Sequence, residues 1–510
     1  MLLTQFLNQH KGKLGFATLL VTSGIAIGCF KTESSQPLKL VASDNKTIIT
    51  HLNASDVQQY HKPLNSKSFV MPDHSEKLTS TFDLKKTFNS SSYTFDLSLA
   101  QTLSIADLNS YGSGLSDVTG DGTAENTLQT MGFKDVIGYN YNVASQAQKD
   151  SWSTTAYAIG HKDMGLYDAY AVIVRGTPDD DEWIGDWDIR SNQPDTQTIH
   201  QGMNKAAEDV EGQLKAYAKN HQQHGGLLTS DSTTLNTKTK IIISGHSRGA
   251  SVTDILATSL GKQGLDKNNI YAYAFSPART MTSTALKNND FNYIWNIIAP
   301  ADFIPTLGLD QLGLKISGNQ VFLPNADDQR VKQALVSYQK TLPKTNSERA
   351  FLTSYVKNDR SNLLGNAAAS QSFGQYMNTN SKSLLKPLSQ STVDQNFYQT
   401  FKPLLTEYLV NTNEPTKNSN DAIRFFNFAM SFMMYHKLNG TLDNGQLETQ
   451  TPGITKAFND YIDEKKNVNE RHYAAYLGVC DDPNFTNQFG KFDINQHIMQ
   501  TYQALLAVLK

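Results

Sequence analysis

Residues 240–251 read KIIISGHSRGAS. An apolar run, Ile241 to Ile243, stops at Gly245-His246-Ser247-Arg248-Gly249, and helical spacing takes over from Ser247 to Gly261. A run that is apolar throughout, rather than alternating, suits a strand buried on both faces. A G-x-S-x-G pattern between such a strand and a helix marks a sharp turn that holds a serine hydroxyl above the sheet. Gly245 and Gly249 sit where the chain must pack closely without a Cβ. The helix start beneath Ser247 offers free N–H groups and a positive dipole end, which stabilise developing negative charge. The same letters also occur at turns with no chemistry, so the flanking elements carry the reading.

Those elements continue on either side. Ala169 to Arg175 is another apolar run, ending at Gly176. From His200 to Lys219, Met203, Ala206, Val210, Leu214 and Ala218 recur at helical spacing. Asn269–Ser276 and Tyr293–Ala299 are further strand candidates. Strands alternating with helices predict an α/β fold with a mostly parallel sheet covered on both faces. Ligands of open α/β sheets bind at the carboxyl edge of the strands. Asp302 follows the strand 293–299 and falls on that edge with Ser247.

A serine hydroxyl becomes a nucleophile only when a base takes its proton, and the base needs an orienting acid. Asp302 is the expected acid. A developing oxyanion needs two backbone N–H groups, one from the residue after the nucleophile, Arg248, and one from a loop past an earlier strand. Thr177, just beyond 169–175, fits that second place, although a plain strand-end turn would read the same way.

Four segments, in order, resemble the class 3 lipases. IIISGHSRGASVTDILA is similar to the elbow of a bacterial branch of that family. Val174-Arg-Gly-Thr177, with Glu182-Trp-Ile-Gly-Asp186 after it, resembles the oxyanion strand and its following motif. Ile199-His-Gln-Gly-Met203 resembles the family's short H-x-G-F segment, which makes His200 structural. Asn296-Ile-Ile-Ala-Pro-Ala-Asp302-Phe-Ile-Pro305 resembles the acid motif, with Ala299 where the family has a second Asn. The resemblance spans about residues 90–325. It implies an α/β-hydrolase with an oxyanion hole of Thr177 and Arg248 and no cofactor or metal; the helical character of Gln329–Leu342 and Asp421–Leu438 adds a helical insertion before the catalytic histidine. It also implies a lipid ester substrate, acylglycerol ahead of phospholipid.

The family's chain order, Ser then Asp then His, leaves His436, His472 and His497 among twelve histidines. His436 lies in a Met/Phe-rich helical stretch and His497 in the terminal helix pattern. His472, with Tyr476 four residues on, resembles the family's H-x-x-x-Y ending and is the expected base. His246 is expected to pack beneath the elbow.

The net charge of −3 and the absence of a basic block argue against a nucleic-acid partner. At the N-terminus, Lys11 and Lys13 precede an apolar run from Leu14 to Gly28 that suits a signal peptide. Ala26-Ile-Gly-Cys29 resembles a lipobox, so Cys29 is the expected lipidation site and membrane anchor, in an extracytoplasmic lipoprotein. The second cysteine, Cys480, is expected as a buried free thiol. The expected organisation is a signal peptide (1–28), a polar tether (29–90), a hydrolase core (91–330), a helical insertion or cap (331–455) and a returning core segment carrying the histidine (456–510). Asp117 to Glu125 begins like a calcium loop, but Leu128 stands where the bidentate Glu belongs, so a solvated turn is expected. Asp179–Glu182 reads as a hydrated acidic loop at the expected site mouth. A rival reading keeps the fold and the anchor but has no turnover, as a surface-binding lipoprotein.

Overall fold

The computed structural model describes residues 38–42, 46–58, 66–72, 77–112, 122–141, 155–177, 200–224, 238–286, 290–306, 314–363 and 493–510. The chain divides into two compact units. One comprises Met1–Leu38 with Lys510, of which the described part is a hydrogen bond from Leu38 N–H to the Lys510 carbonyl, 3.3 Å. The other, Lys39–Leu509, carries everything that follows.

Its centre is an eight-stranded sheet built from β1 (Ile49–His51), β2 (Lys134–Tyr139), β3 (Tyr157–Asp163), β4 (Asp168–Val174), β5 (Thr239–His246), β6 (Ile270–Phe275), β7 (Ile294–Ile298) and β8 (Asn319–Phe322). The spatial order is β1-β8-β7-β6-β5-β4-β3-β2. From β1 to β4 every neighbouring pair is parallel, while β3 runs antiparallel to both β4 and β2. This is the mostly parallel α/β sheet flanked by helices that the alternation implies. Every residue of β4, β6 and β7 is buried, as the unbroken apolar runs require.

Among the described residues, seven longer helices accompany the sheet: α1 (Leu97–Ser110), α2 (Ala124–Met131), α3 (Gln201–His221), α4 (Arg248–Lys262), α5 (Gln329–Thr341), α6 (Ser347–Tyr355) and α7 (Met499–Ala507). Successive strand residues point to opposite faces. Ser244 donates to Asp107 of α1, 2.6 Å, while a Cβ at Gly245 would point at Thr253 Oγ1 of α4. Helices α1 and α4 therefore cover opposite faces of β5. Helix α7 packs on α1, and α3 packs on α4. Helix α1 is buried nearly all round, so it lacks the polar stripe of a surface helix.

One expectation changes here. Residues 29–90 were expected as a tether, yet β1 pairs with β8 at the sheet edge, Lys67–Val70 pairs with Lys77–Ser80, and Leu84–Asn89 is a helix. A three-residue edge strand needs little apolar content, because its ladder bonds are to backbone; the polar composition hid it. The Asp117–Glu125 region ends in α2, where Thr123 caps Asn126 N–H and Leu128 is buried; residues 113–121 lie outside the described residues. Of the expected insertion, α5 and α6 are described, while 364–492, with His436, His472 and Cys480, lie outside the described residues, as do Cys29 and residues 178–199.

Candidate active site

The carboxyl ends of β4 to β7 finish in register. Val174 pairs with Gly245, His246 with Phe275, and Phe275 with Ile297. The ladder continues one step into the loops: Ser247 N–H donates to the Phe275 carbonyl and Ser276 N–H to the Ile297 carbonyl, both 2.9 Å. Thr177, Ser247, Ser276 and Asp302 thus emerge side by side on one sheet edge.

Ser247 is the residue before α4, with φ 58° and ψ −121°. A non-glycine residue there costs about 1–3 kcal/mol of local strain and persists only when the surroundings enforce it. They do so through close approach. A Cβ on Gly245 would strike the Gly249 carbonyl, and a Cβ on Gly249 would strike the Val174 carbonyl. A Cβ on Gly176 would meet Tyr111 Oη, the His246 carbonyl and Ser247 Cβ. The elbow and the end of β4 are pressed together, which brings Thr177 beside the turn and sets Arg248 at the first position of α4.

Ser247 Oγ lies 2.9 Å from Nε2 of His497. The other ring nitrogen, Nδ1, lies 3.0 Å from Oδ2 of Asp302. All three side chains are buried or nearly so, at 9, 7 and 2% exposure for Ser247, His497 and Asp302. Asp302 also accepts from Tyr502 Oη (2.6 Å) and Ser276 Oγ (2.5 Å) on Oδ2, and from Ile304 N–H (2.9 Å) on Oδ1. Burial alone would raise its pKa. The His497 imidazole beside it and the hydrogen bonds from His497, Ser276 and Tyr502 outweigh burial and hold the carboxyl below its ordinary value. Asp302 is therefore a carboxylate, an acceptor for Nδ1–H, and that tautomer leaves Nε2 free to accept from Ser247.

The imidazole that meets both Ser247 and Asp302 is that of His497, where the H-x-x-x-Y spacing had pointed to His472. The correction has a local cause. Asp493 caps the short turn Ile494–Gln496 by accepting from Asn495 N–H at 3.1 Å, and His497 closes that turn. Helix α7 begins only at Met499, so His497 precedes the terminal helix instead of lying within it. The helix then returns Tyr502, five residues on, to Asp302.

His246 does lie beneath the elbow. Its Nε2 donates to the His497 carbonyl and its Nδ1 accepts from Tyr111 Oη, each at 2.7 Å. Burial first, and the neighbouring His497 second, push its pKa down to about 3, so it is neutral. His200 caps α3, its Nδ1 accepting from Met203 N–H at 3.4 Å. Ser276, Tyr502 and Tyr111 carried no motif. Ser276 alone was within reach of sequence reasoning, since it ends the apolar run 269–275 one strand over from Ser247.

A buried serine, an imidazole with one free nitrogen and an ionised carboxylate in one hydrogen-bonded line can perform nucleophilic acyl transfer. Among the described residues, no cluster of His, Cys, Asp or Glu has the arrangement of a metal site.

Residues 171–311 match the model of the class 3 lipase family, a span that includes Thr177, Ser247 and Asp302. No curated protein matches the sequence. Among solved structures, a triacylglyceride lipase of Rhizomucor miehei is similar at 18% identity, covering 44% of this chain and 78% of its own, with a TM-score of 0.30. A mono- and diacylglycerol lipase from Aspergillus oryzae is similar at 17% identity, covering 47% and 80%, also with a TM-score of 0.30.

Proposed function

We propose that the protein hydrolyses carboxylic esters of lipids, acylglycerols first, through an acyl-enzyme on Ser247, with His497 as the base and Asp302 as its orienting acid. The observation that carries this reading is the line Ser247 Oγ–His497 Nε2 (2.9 Å) and His497 Nδ1–Asp302 Oδ2 (3.0 Å) at the carboxyl edge of the sheet. The family match over 171–311 supports carboxylic ester hydrolysis as the chemistry.

The proposed steps are those of serine-based acyl transfer. Ser247 Oγ attacks the ester carbonyl as its proton passes to His497 Nε2. The tetrahedral oxyanion is stabilised by the N–H groups of Arg248 and Thr177, with the Thr177 hydroxyl as a further donor, and by the N-terminus of α4. The imidazolium is stabilised by Asp302 and gives its proton to the leaving alcohol oxygen as the C–O bond breaks. Water then attacks the acyl-enzyme with His497 as base again, which releases the fatty acid and restores Ser247. Losing one oxyanion donor costs such sites about 10²–10³ in kcat.

Labelling with a fluorophosphonate, wild type against Ser247→Ala, tests the assignment; an unlabelled wild type would retire the enzyme in favour of a non-catalytic binding lipoprotein. A chain-length series of p-nitrophenyl esters beside triolein and phosphatidylcholine tests the substrate. Turnover of phosphatidylcholine above triolein would make the protein a phospholipase.

The site of action is proposed to be the outer face of a membrane, with Cys29 lipidated. Lys11 and Lys13, the apolar run Leu14–Gly28 and Ala26-Ile-Gly-Cys29 support this. Among the described residues, no helix is long and apolar enough to cross a membrane. The mass of the mature N-terminal peptide tests it, since an unmodified Cys29 would overturn the anchor.

A further inference from the structure

The geometry points to Ser276 as a positioning residue for the Asp302–His497 pair, a role that rests on the acyl-transfer reading above. Ser276 follows β6, is fully buried and holds φ 60°. That backbone angle favours glycine, so a serine is strained there unless its side chain compensates.

The hydroxyl lies 2.5 Å from Asp302 Oδ2 and 3.0 Å from His497 Nδ1. An ionised carboxylate only accepts, so the single Ser276 proton goes to Oδ2. The hydroxyl oxygen then turns a lone pair toward Nδ1–H. The imidazole proton thus sits between two acceptors, Asp302 Oδ2 and Ser276 Oγ, which are themselves joined by a hydrogen bond. This closed three-membered arrangement fixes the Asp302 rotamer, the plane of the His497 ring and the tautomer with the proton on Nδ1. All three are conditions for Nε2 to accept from Ser247. The backbone supplies the precision: Ser276 N–H is tied to Ile297 and Asp302 N–H to Ala299, so hydroxyl and carboxylate hang from adjacent strand ends.

The backbone angle also separates this role from a purely structural one. Ser276→Gly removes the hydroxyl and relieves the strain together; Ser276→Ala removes the hydroxyl and keeps the strain. In the full-length protein, both variants are expected to lose kcat about tenfold, the rate equivalent of one net hydrogen bond, with KM unchanged. Ser276→Gly is expected to melt no lower than wild type. In proton NMR of the same proteins, the Nδ1–H resonance of His497 is expected to shift in both variants, because one of its two acceptors is gone. A kcat within twofold of wild type in both variants, or an unmoved Nδ1–H resonance, would overturn the proposal. The resonance is read without substrate, so failure of wild-type labelling at Ser247 would sink the ester-hydrolase reading while leaving the Ser276 contact separately decided.

Discussion

The elbow at 245–249 and the terminal segment at 493–510 deliver the two halves of the same hydrogen bond by opposite means. The elbow is local: two glycines, a strand before and a helix after force Ser247 to φ 58°, and the contacts that enforce it involve Gly249, Val174 and each other's backbone. The terminal segment is non-local. His497 is placed by a short capped turn and by α7, whose Met499, Tyr502, Leu505 and Leu506 are buried and which packs on α1, nearly four hundred residues earlier in the chain. Each such burial contributes about 1.5–3 kcal/mol, and none of it is written in the residues around the histidine.

The sharpest way to break this comparison is to remove each partner. Ser247→Ala and His497→Ala are expected to cost about 10⁴–10⁶ in kcat each, and the double variant little more than either, because the pair acts as a unit. His472→Ala is expected to keep wild-type kcat. A p-nitrophenyl ester assay of the four proteins checks this, and loss at position 472 with retention at 497 would return the base to the spacing rule. Asp302→Asn follows in size, at about 10³–10⁴, since an amide can hold the ring but favours the wrong tautomer.

This contrast explains what could be read from the sequence. The strands at 169–175, 240–245, 269–276 and 293–299 are visible because continuous apolar runs mean burial on both faces. Ser247 and Asp302 are visible because each lies one turn past such a run, at an edge where the topology must gather them. His497 carries no such mark, because the spacing of a tyrosine four residues on belongs to His472, whereas the tyrosine that reaches Asp302 is Tyr502, five residues beyond His497 and within the helix that starts at Met499. Edge strand β1 escaped for the reverse reason: its partner β8 supplies the ladder, so its own residues need carry little signal.

A smaller effect separates strain from catalysis at the elbow. Gly249→Ala drives a methyl into the Val174 carbonyl, where backbone must move to admit it. Overpacking of this kind costs about 1–3 kcal/mol. Urea unfolding should show that loss, and fluorophosphonate labelling of the folded fraction should fall as well, because the shift lands between the end of β4 and Ser247. Equal stability of the variant and wild type would mean that the close approach does not hold the elbow.

The smallest expected effect lies where the two regions touch. His246 belongs to the elbow, yet its Nε2 donates to the His497 carbonyl, so it is a second link between nucleophile turn and base, beside Ser247 itself. Its folded pKa is depressed to about 3, chiefly by burial, against about 6.5 in an unfolded chain. The unfolded state therefore binds the proton first. The contribution of His246 to stability is complete above the unfolded value and is lost as pH falls from about 6.5 toward the folded pKa, at about 1.4 kcal/mol per pH unit. Gln at this position can still donate to the His497 carbonyl and accept from Tyr111, but it does not titrate. Urea unfolding of wild type and His246→Gln between pH 7 and pH 5 should then give curves whose difference changes with that slope below pH 6.5 and is flat above it. A difference that is the same at every pH would mean that His246 reaches water before the fold opens, and that the link between elbow and base is looser than the 2.7 Å contact implies.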